Sequence, residues 1–111
     1  MELAERKIKK ALTFSKIAKE EIATMCAKAK MIYEKALVAL ESENEEVVKA
    51  VRKTEIDIDR LQRVFESNHI RRIENKICNP LMGIVFVDIL RNLERIGDHS
   101  TNIANAVLLG F

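Results

Sequence analysis

The chain gives itself almost nowhere to turn. Its 111 residues include three glycines and one proline, the residue types that most strongly interrupt helices and strands. Whatever lies between such breaks must be long. From Leu3 to Leu40, small and apolar residues recur at Ile8, Ala11, Ser15, Ala18, Ile22, Met25, Ala29, Ile32, Ala36 and Ala39. Steps of three and four place these side chains on one face of a helix, as a heptad-like seam. The many alanines let a neighbouring helix approach closely. A helix of ~38 residues at ~1.5 Å per residue would be ~57 Å long.

Two short polar breaks follow. Glu41 to Asn44 is the first, where Ser42 with Glu45 three residues later fits a capping box and Asn44 competes as N-cap. A second seam then runs through Val47, Ala50, Val51, Ile58, Leu61 and Phe65 to about Glu74. The second break, Asn75 to Pro80, ends in Asn79-Pro80, an N-cap followed by proline at the first helical position. A third helix runs from there to about Leu109, with Gly110 as its stop. Such short links between long helices imply antiparallel neighbours. The expectation is an all-α fold, an antiparallel three-helix bundle with helices over about 3–40, 44–75 and 80–109, forming one domain across 1–111.

Composition narrows the function classes. With 48% hydrophobic and 32% charged residues, the chain reads as an ordinary soluble globular protein. A net charge of +2 and 5% aromatic residues argue against nucleic acid, since no basic run carries aromatics for base stacking. Arg71 and Arg72 read as a solvated face. The longest apolar stretch, near Ile84, is broken by Asp88, so no direct membrane insertion is expected. The N-terminus lacks the apolar core of a signal peptide, which predicts a cytoplasmic protein. Cys26 and Cys78 are expected about 30 Å apart along the bundle, too far for a disulfide. Both are read as reduced, Cys26 as a small core residue near the level of residue 58. No phosphate loop, Cys-x-x-Cys pair or nucleophile–base arrangement is present, so no enzyme is expected.

The chemistry concentrates in Asp88 to Ala104. Val87, Leu90, Leu93, Gly97, Ala104 and Leu108 form an apolar arc, and beside it runs a strip of Arg91, Glu94, Asp98, Thr101, Asn102 and Asn105. Glu94 and Asp98, four apart, stack one turn above each other. Glu55 and Asp59 repeat the pattern on the second helix, again at the border of its apolar arc. Counted from the turn between the two helices, the four carboxylates come within ~5–6 Å of one level. Oxygen clusters of this kind suit hard cations such as Mg²⁺, Ca²⁺, Mn²⁺ or ferric iron, with Zn²⁺ as a further candidate. The alternative is internal neutralisation and a purely structural helical interaction domain. Arg52 is spaced to pair with Glu55, Arg63 with Asp59, Arg91 with Glu94 and Arg95 with Asp98, and Lys28 falls near the same level. Glu66 and His69 form one E-x-x-H motif on the inner edge of the second helix. Di-iron bundles use two such motifs on four helices, so His69 reads instead as a satisfied, partly buried histidine, and His99 as exposed.

Leu90-Arg-Asn-Leu-Glu-Arg-Ile-Gly-Asp-His-Ser-Thr-Asn-Ile-Ala104 resembles the signature helix of PhoU-like domains. The lead-in Asn68-His-Ile-Arg-Arg-Ile and the Cys78-Asn-Pro turn resemble, more specifically, the PhoU-like domain that follows the membrane part of bacterial sodium/phosphate cotransporter relatives. The close match covers roughly residues 55 to 106. The resemblance implies a three-helix bundle whose E/D-x-x-x-D motifs hold metal clusters, which fall here on Glu55, Asp59, Glu94 and Asp98. Arg91, Asn102, Glu66 and His69 stand as possible supporting residues. The implied cofactor is a divalent or trivalent metal ion (Fe, Zn, Mn, Mg or Ca). The implied role is regulation of phosphate uptake through contact with a phosphate transporter or sensor protein. Two departures matter. Asn44 stands where many family members carry an acidic residue, which implies fewer ions. One repeat is present where PhoU has two, which leaves apolar surface uncovered and implies a homo-oligomer; the alternative is the cytoplasmic domain of a larger membrane transporter.

Overall fold

A computed structural model describes residues 14–76 and 79–109. Three helices, α1 (Lys16–Ser42), α2 (Glu45–Glu74) and α3 (Pro80–Leu109), carry nearly all of these residues, and there is no strand among them. The expected first helix from residue 3 lies outside the described residues up to residue 13, as do Cys78 and Gly110, and Phe14 and Ser15 are not helical, so α1 opens at Lys16.

The ends of the helices follow from cap chemistry. Ser15 accepts a hydrogen bond from the Ala18 N–H at 3.2 Å and opens α1. Glu43 closes it in the left-handed region at φ 53°, its N–H donating to the Ala39 carbonyl at 2.8 Å. Ser42 is not the cap of α2. Its backbone is still helical, so its hydroxyl points back and donates to the Val38 carbonyl at 2.7 Å. Asn44 takes the role instead, accepting from the Glu46 N–H at 2.9 Å. Asn79 accepts from the Leu81 N–H at 2.8 Å, with Pro80 as the first residue of α3.

Contacts between helices set the directions. Going up α1 from Glu21 to Lys35, the partner in α2 descends from Arg72 to Thr54. Along α2 from Arg52 to Glu66, the partner in α3 descends from Asn105 to Arg91. Sequential neighbours are therefore antiparallel, and α1 lies parallel to α3. The core is built from Met25, Ile32, Ala36 and Ala39 of α1, Val48, Val51 and Ile58 of α2, and Phe86, Leu90 and Ala104 of α3. At Gly97 the helices come close: a Cβ there would sit 3.5 Å from Ile58 Cδ1 and 3.9 Å from Ile32 Cδ1.

Several side chains depart from the expected seams. Cys26 is exposed, because the buried stripe passes through its neighbour Met25 and a one-residue step turns a helical side chain by ~100°. The α1–α2 contacts also place Cys26 nearer the level of Phe65 than of residue 58. Val48, not Val47, is the fully buried member of the first turn of α2, and Leu108 is largely exposed near the C-terminus of α3. Arg72 is not on a solvated face: its side chain is 11% exposed and bonded to Glu21. Thr101, placed in the polar strip, is buried.

Candidate metal centre

The antiparallel register of α2 and α3 brings one acidic row against the other. Arg52 Nε donates to Asn105 Oδ1 at 2.9 Å at one end of the seam, and Arg91 Nε approaches Glu66 Oε1 at 3.5 Å nearer the other. Between those levels Asp59 of α2 meets Glu94 and Asp98 of α3. Each of the three offers one carboxylate oxygen lying within 4.8 Å of the others. Asp59 and Glu94 are half-buried, whereas Asp98 is exposed, so the cluster opens to solvent beside α3. One Asp59 oxygen, Oδ1, is buried and accepts no hydrogen bond. A buried acceptor left bare is costly, and a cation above it would satisfy it.

Glu55 is outside that trio but adjoins it. Burial raises the pKa of its carboxyl, the nearby Thr101 hydroxyl lowers it, and hydrogen bonding to Asp98 with the charges of Asp59 and Asp98 raises it again. Glu94 is raised first by burial and then by the charges of Asp98 and Asp59, with Gln62 opposing and Glu66 adding to the rise. Burial leads both shifts, and the crowding of carboxylates at this half-buried seam adds to each.

None of the four arginine–carboxylate pairs expected from spacing forms an ion pair among the described residues. Arg52 turns to Asn105, Arg63 donates to the Asp59 main-chain carbonyl at 3.4 Å, Arg91 reaches Glu66, and Arg95 donates to Asn92 Oδ1 at 3.4 Å. Lys28, though half-buried, makes no ion pair there either. The guanidinium groups ring the cluster at its edges and leave its centre acidic.

The supporting residues divide. Glu66 and Arg91 pair beside the trio, and Gln62 Nε2, which spacing alone did not single out, donates to Glu66 Oε1 at 3.2 Å. His69 is elsewhere. It is fully buried, stacks on Phe86 with ring centroids 4.3 Å apart, and lies 3.2 Å from Arg72 Nη2 through Nδ1. Burial first, and the Arg72 charge second, lower its pKa, with Glu21 opposing. Asn102 is exposed and borders a hollow with Leu40, His99 and Ile103, on the side of α3 turned towards α1. His99 is exposed, as expected.

A second polar cluster escaped the sequence reading. Glu21 Oε1 lies 2.5 Å from Arg72 Nη2, and its Oε2 accepts from Asn68 Nδ2 at 3.1 Å. The signal was present: Ala18, Glu21 and Met25 follow the three–four spacing of the buried seam, so an acid stood at a core position and called for a buried cation.

Among protein families, the PhoU domain model matches residues 22–107. Comparison with curated proteins and with solved structures gives no significant match. PhoU domains are helical bundles associated with the regulation of phosphate homeostasis. The matched span takes in most of α1, all of α2 and all but the last residues of α3, and on that extent the chain belongs to the PhoU domain family.

Proposed function

We propose that this chain is a metal-binding regulatory module of phosphate uptake, acting by binding a transporter or signalling partner and not by catalysis. The observation that carries the reading is the Asp59–Glu94–Asp98 cluster, with its buried and unsatisfied Asp59 oxygen. The donor set is all oxygen and all anionic, which fits hard cations such as Mg²⁺, Ca²⁺, Mn²⁺ or ferric iron better than Zn²⁺. Asp59, Glu94 and Asp98 would hold the ion, with Glu55 as a fourth ligand within reach of Asp98. Bound metal would neutralise the seam and tie α2 to α3, making the shape of this face depend on the ion.

Elemental analysis of protein purified without chelator is the direct test. The wild-type chain should retain metal, and Asp59→Asn combined with Asp98→Asn should abolish it. Metal-free wild-type protein after equilibration with Mg²⁺, Mn²⁺, Ca²⁺ and Fe³⁺ salts would remove the site from the reading. In cells, the same double variant should alter the response of phosphate uptake to external phosphate.

The partner side of the reading includes self-association. Along the α1–α3 groove, Cys26, Ala29, Leu93 and Ile103 line a hollow of about 470 Å³. Tyr33 is 48% and Ile96 40% exposed at its edge. A second copy would cover this apolar strip, so light scattering at high concentration should give a mass above that of the monomer. No helix among the described residues is long and apolar enough to cross a membrane, which suits a module working in the cytoplasm beside a membrane protein.

A further inference from the structure

The outward face of α2 is sharply segregated in charge. Between Lys49 and Arg71 every exposed charged side chain of this helix is a cation: Lys49, Arg52, Lys53, Arg60, Arg63 and Arg71. The acids of the same stretch, Glu55, Asp57, Asp59 and Glu66, are all half-buried. At 3.6 residues per turn the six cations fall within an arc of roughly 100°. The exposed charges of α1 and α3 are of both signs, as Lys30 beside Glu34 and Arg95 beside Asp98 illustrate. With a net charge of only +2 for the chain, the row reflects placement and not overall composition.

Little neutralises it. Lys49 approaches Glu46 at 3.4 Å and Arg60 approaches Asp57 at 3.9 Å, both in solvent. Arg52, Arg63 and Arg71 donate to neutral oxygens, on Asn105, the Asp59 main chain and Asn68. Set among these cations are three branched aliphatic side chains, Ile56 at 67%, Val64 at 47% and Ile70 at 54% exposure. Exposed aliphatics occur on the other helices too, as Ile17 and Ile84 show; here they stand inside a row of cations. Cations interleaved with protruding aliphatics on one straight helical face, running ~33 Å along the axis, match a plane that is negative at its surface and apolar just beneath.

We infer that this face of α2 docks on an anionic lipid surface, with the guanidinium and ammonium groups at the level of the lipid phosphates and Ile56, Val64 and Ile70 reaching the headgroup boundary. The helix lies on the surface and does not cross it. The face borders the α2–α3 carboxylate cluster along its Arg52 and Arg63 edge, but none of its six cations is a ligand of that cluster, so the inference does not require metal there.

Co-sedimentation of the full chain with vesicles tests it. Equal mixtures of phosphatidylglycerol and phosphatidylcholine should bind the protein and phosphatidylcholine alone should not. Binding should vanish at ~1 M salt, where the screening length falls to ~3 Å. Arg60→Glu with Arg63→Glu should weaken binding ~100-fold or more, with circular dichroism unchanged because both sites are exposed. The chain has no tryptophan, so Ile56→Trp supplies a single reporter whose emission should shift to the blue on anionic vesicles. No binding to anionic vesicles, equal binding to neutral ones, or indifference to the Arg60/Arg63 reversal would overturn the proposal. So would saturable binding to polyglutamate without vesicle binding, which would point to an acidic protein instead.

Discussion

Glu21 and Asp59 are both acids turned toward a neighbouring helix, yet the surroundings treat them oppositely. Glu21 lies on the buried seam of α1 and meets Arg72, Asn68 and, through Arg72, His69. Arg72 in turn lies over Phe86, its Cζ 5.5 Å from the ring centroid. That cluster is closed in charge: the carboxylate meets a guanidinium and its other oxygen is hydrogen-bonded, although Arg72 Nε is itself buried without a hydrogen-bond partner. Asp59 meets two further carboxylates and keeps a buried oxygen bare. One cluster neutralises its acid with a cation of the same chain, whereas the other sets three acids together. Under the proposed function, the positive charge at the second would come from a bound cation.

The largest effect should come from opening the closed cluster. Glu21→Gln leaves the Arg72 guanidinium buried without its counter-charge, and breaking a buried pair from one side costs about 3–5 kcal/mol. Thermal unfolding should shift down by on the order of 10 °C or more. Glu21→Met with Arg72→Met should recover much of the loss, since an apolar replacement leaves no stranded charge. The same operation in the open cluster should have the opposite sign. Asp98→Asn in chelator-treated protein relieves like-charge crowding and should stabilise by about 0.5 kcal/mol. If both substitutions destabilise equally, the two clusters do not differ as described.

Next in size is the response to metal. Added at about 100 times its dissociation constant, an ion that binds only the folded state stabilises it by about 2.7 kcal/mol. Calorimetry should show that gain in the wild-type chain, none in the Asp59→Asn/Asp98→Asn variant, and a full gain in Glu21→Gln despite its lower starting point. Loss of the metal response in Glu21→Gln would mean that the two clusters communicate.

The two glycines of α3 sharpen the contrast by packing. Gly83 faces the closed cluster: a Cβ there would lie 2.6 Å from Ile73 Cδ1 and 3.1 Å from His69 Nε2. The Ile73 methyl can swing aside, but His69 is held by Phe86 and Arg72, so Gly83→Ala should destabilise by about 1–3 kcal/mol through overpacking. Gly97 lies one residue before Asp98, and its added Cβ would find ordinary contact distances. There Ala should stabilise by about 0.5–1 kcal/mol through the lower entropy cost of helix formation. Urea titration of both variants measures the two signs.

What the sequence makes legible tracks local periodicity. The buried stripe of α1 through Ala18, Met25, Ala29, Ile32, Ala36 and Ala39 follows directly from three–four spacing, and the start of α3 at Pro80 follows from Asn-Pro chemistry. Asp59, Glu94 and Asp98 could be placed at one level by counting from the turn, because α2 ends and α3 begins at the same short break. Which partner an arginine chooses was not legible. Arg52, Arg63, Arg91 and Arg95 each have an acid three or four residues away, but long flexible side chains at the rim settle on whichever acceptor the neighbouring helix presents. For Arg52 and Arg91 that acceptor lies on a different helix. The closed cluster is hard to see in the sequence because Glu21 stands beside the apolar Ile22 at the same level of the seam, and the adjacent Arg71 and Arg72 have the look of a solvated face.

The smallest effect separates the clusters by the sign of their pH dependence. The Glu55 and Glu94 carboxyls have pKa values raised above the ordinary 4.5 of a glutamate. The folded state holds these protons more tightly than the unfolded chain, so the contribution is fully present below the unfolded pKa and is lost as pH rises through the raised values. His69 is lowered from 6.5. For it the unfolded chain takes the proton first, so its contribution is present above pH 6.5 and is lost as pH falls toward the folded value. In chelator-treated protein the two clusters therefore pull stability in opposite directions on the acid side of neutrality. Denaturation midpoints followed from pH 4 to pH 8 should decline less with rising pH in Glu94→Gln, where Glu55 alone keeps a raised carboxyl, and should lose the acid decline of the imidazole in His69→Gln. Saturating metal should remove the decline with rising pH, because a bound cation favours the ionised carboxylates. A Glu94→Gln profile that declined with rising pH as steeply as the wild type would show that the carboxylates of this seam do not strain one another, and with that the case for a missing cation would weaken.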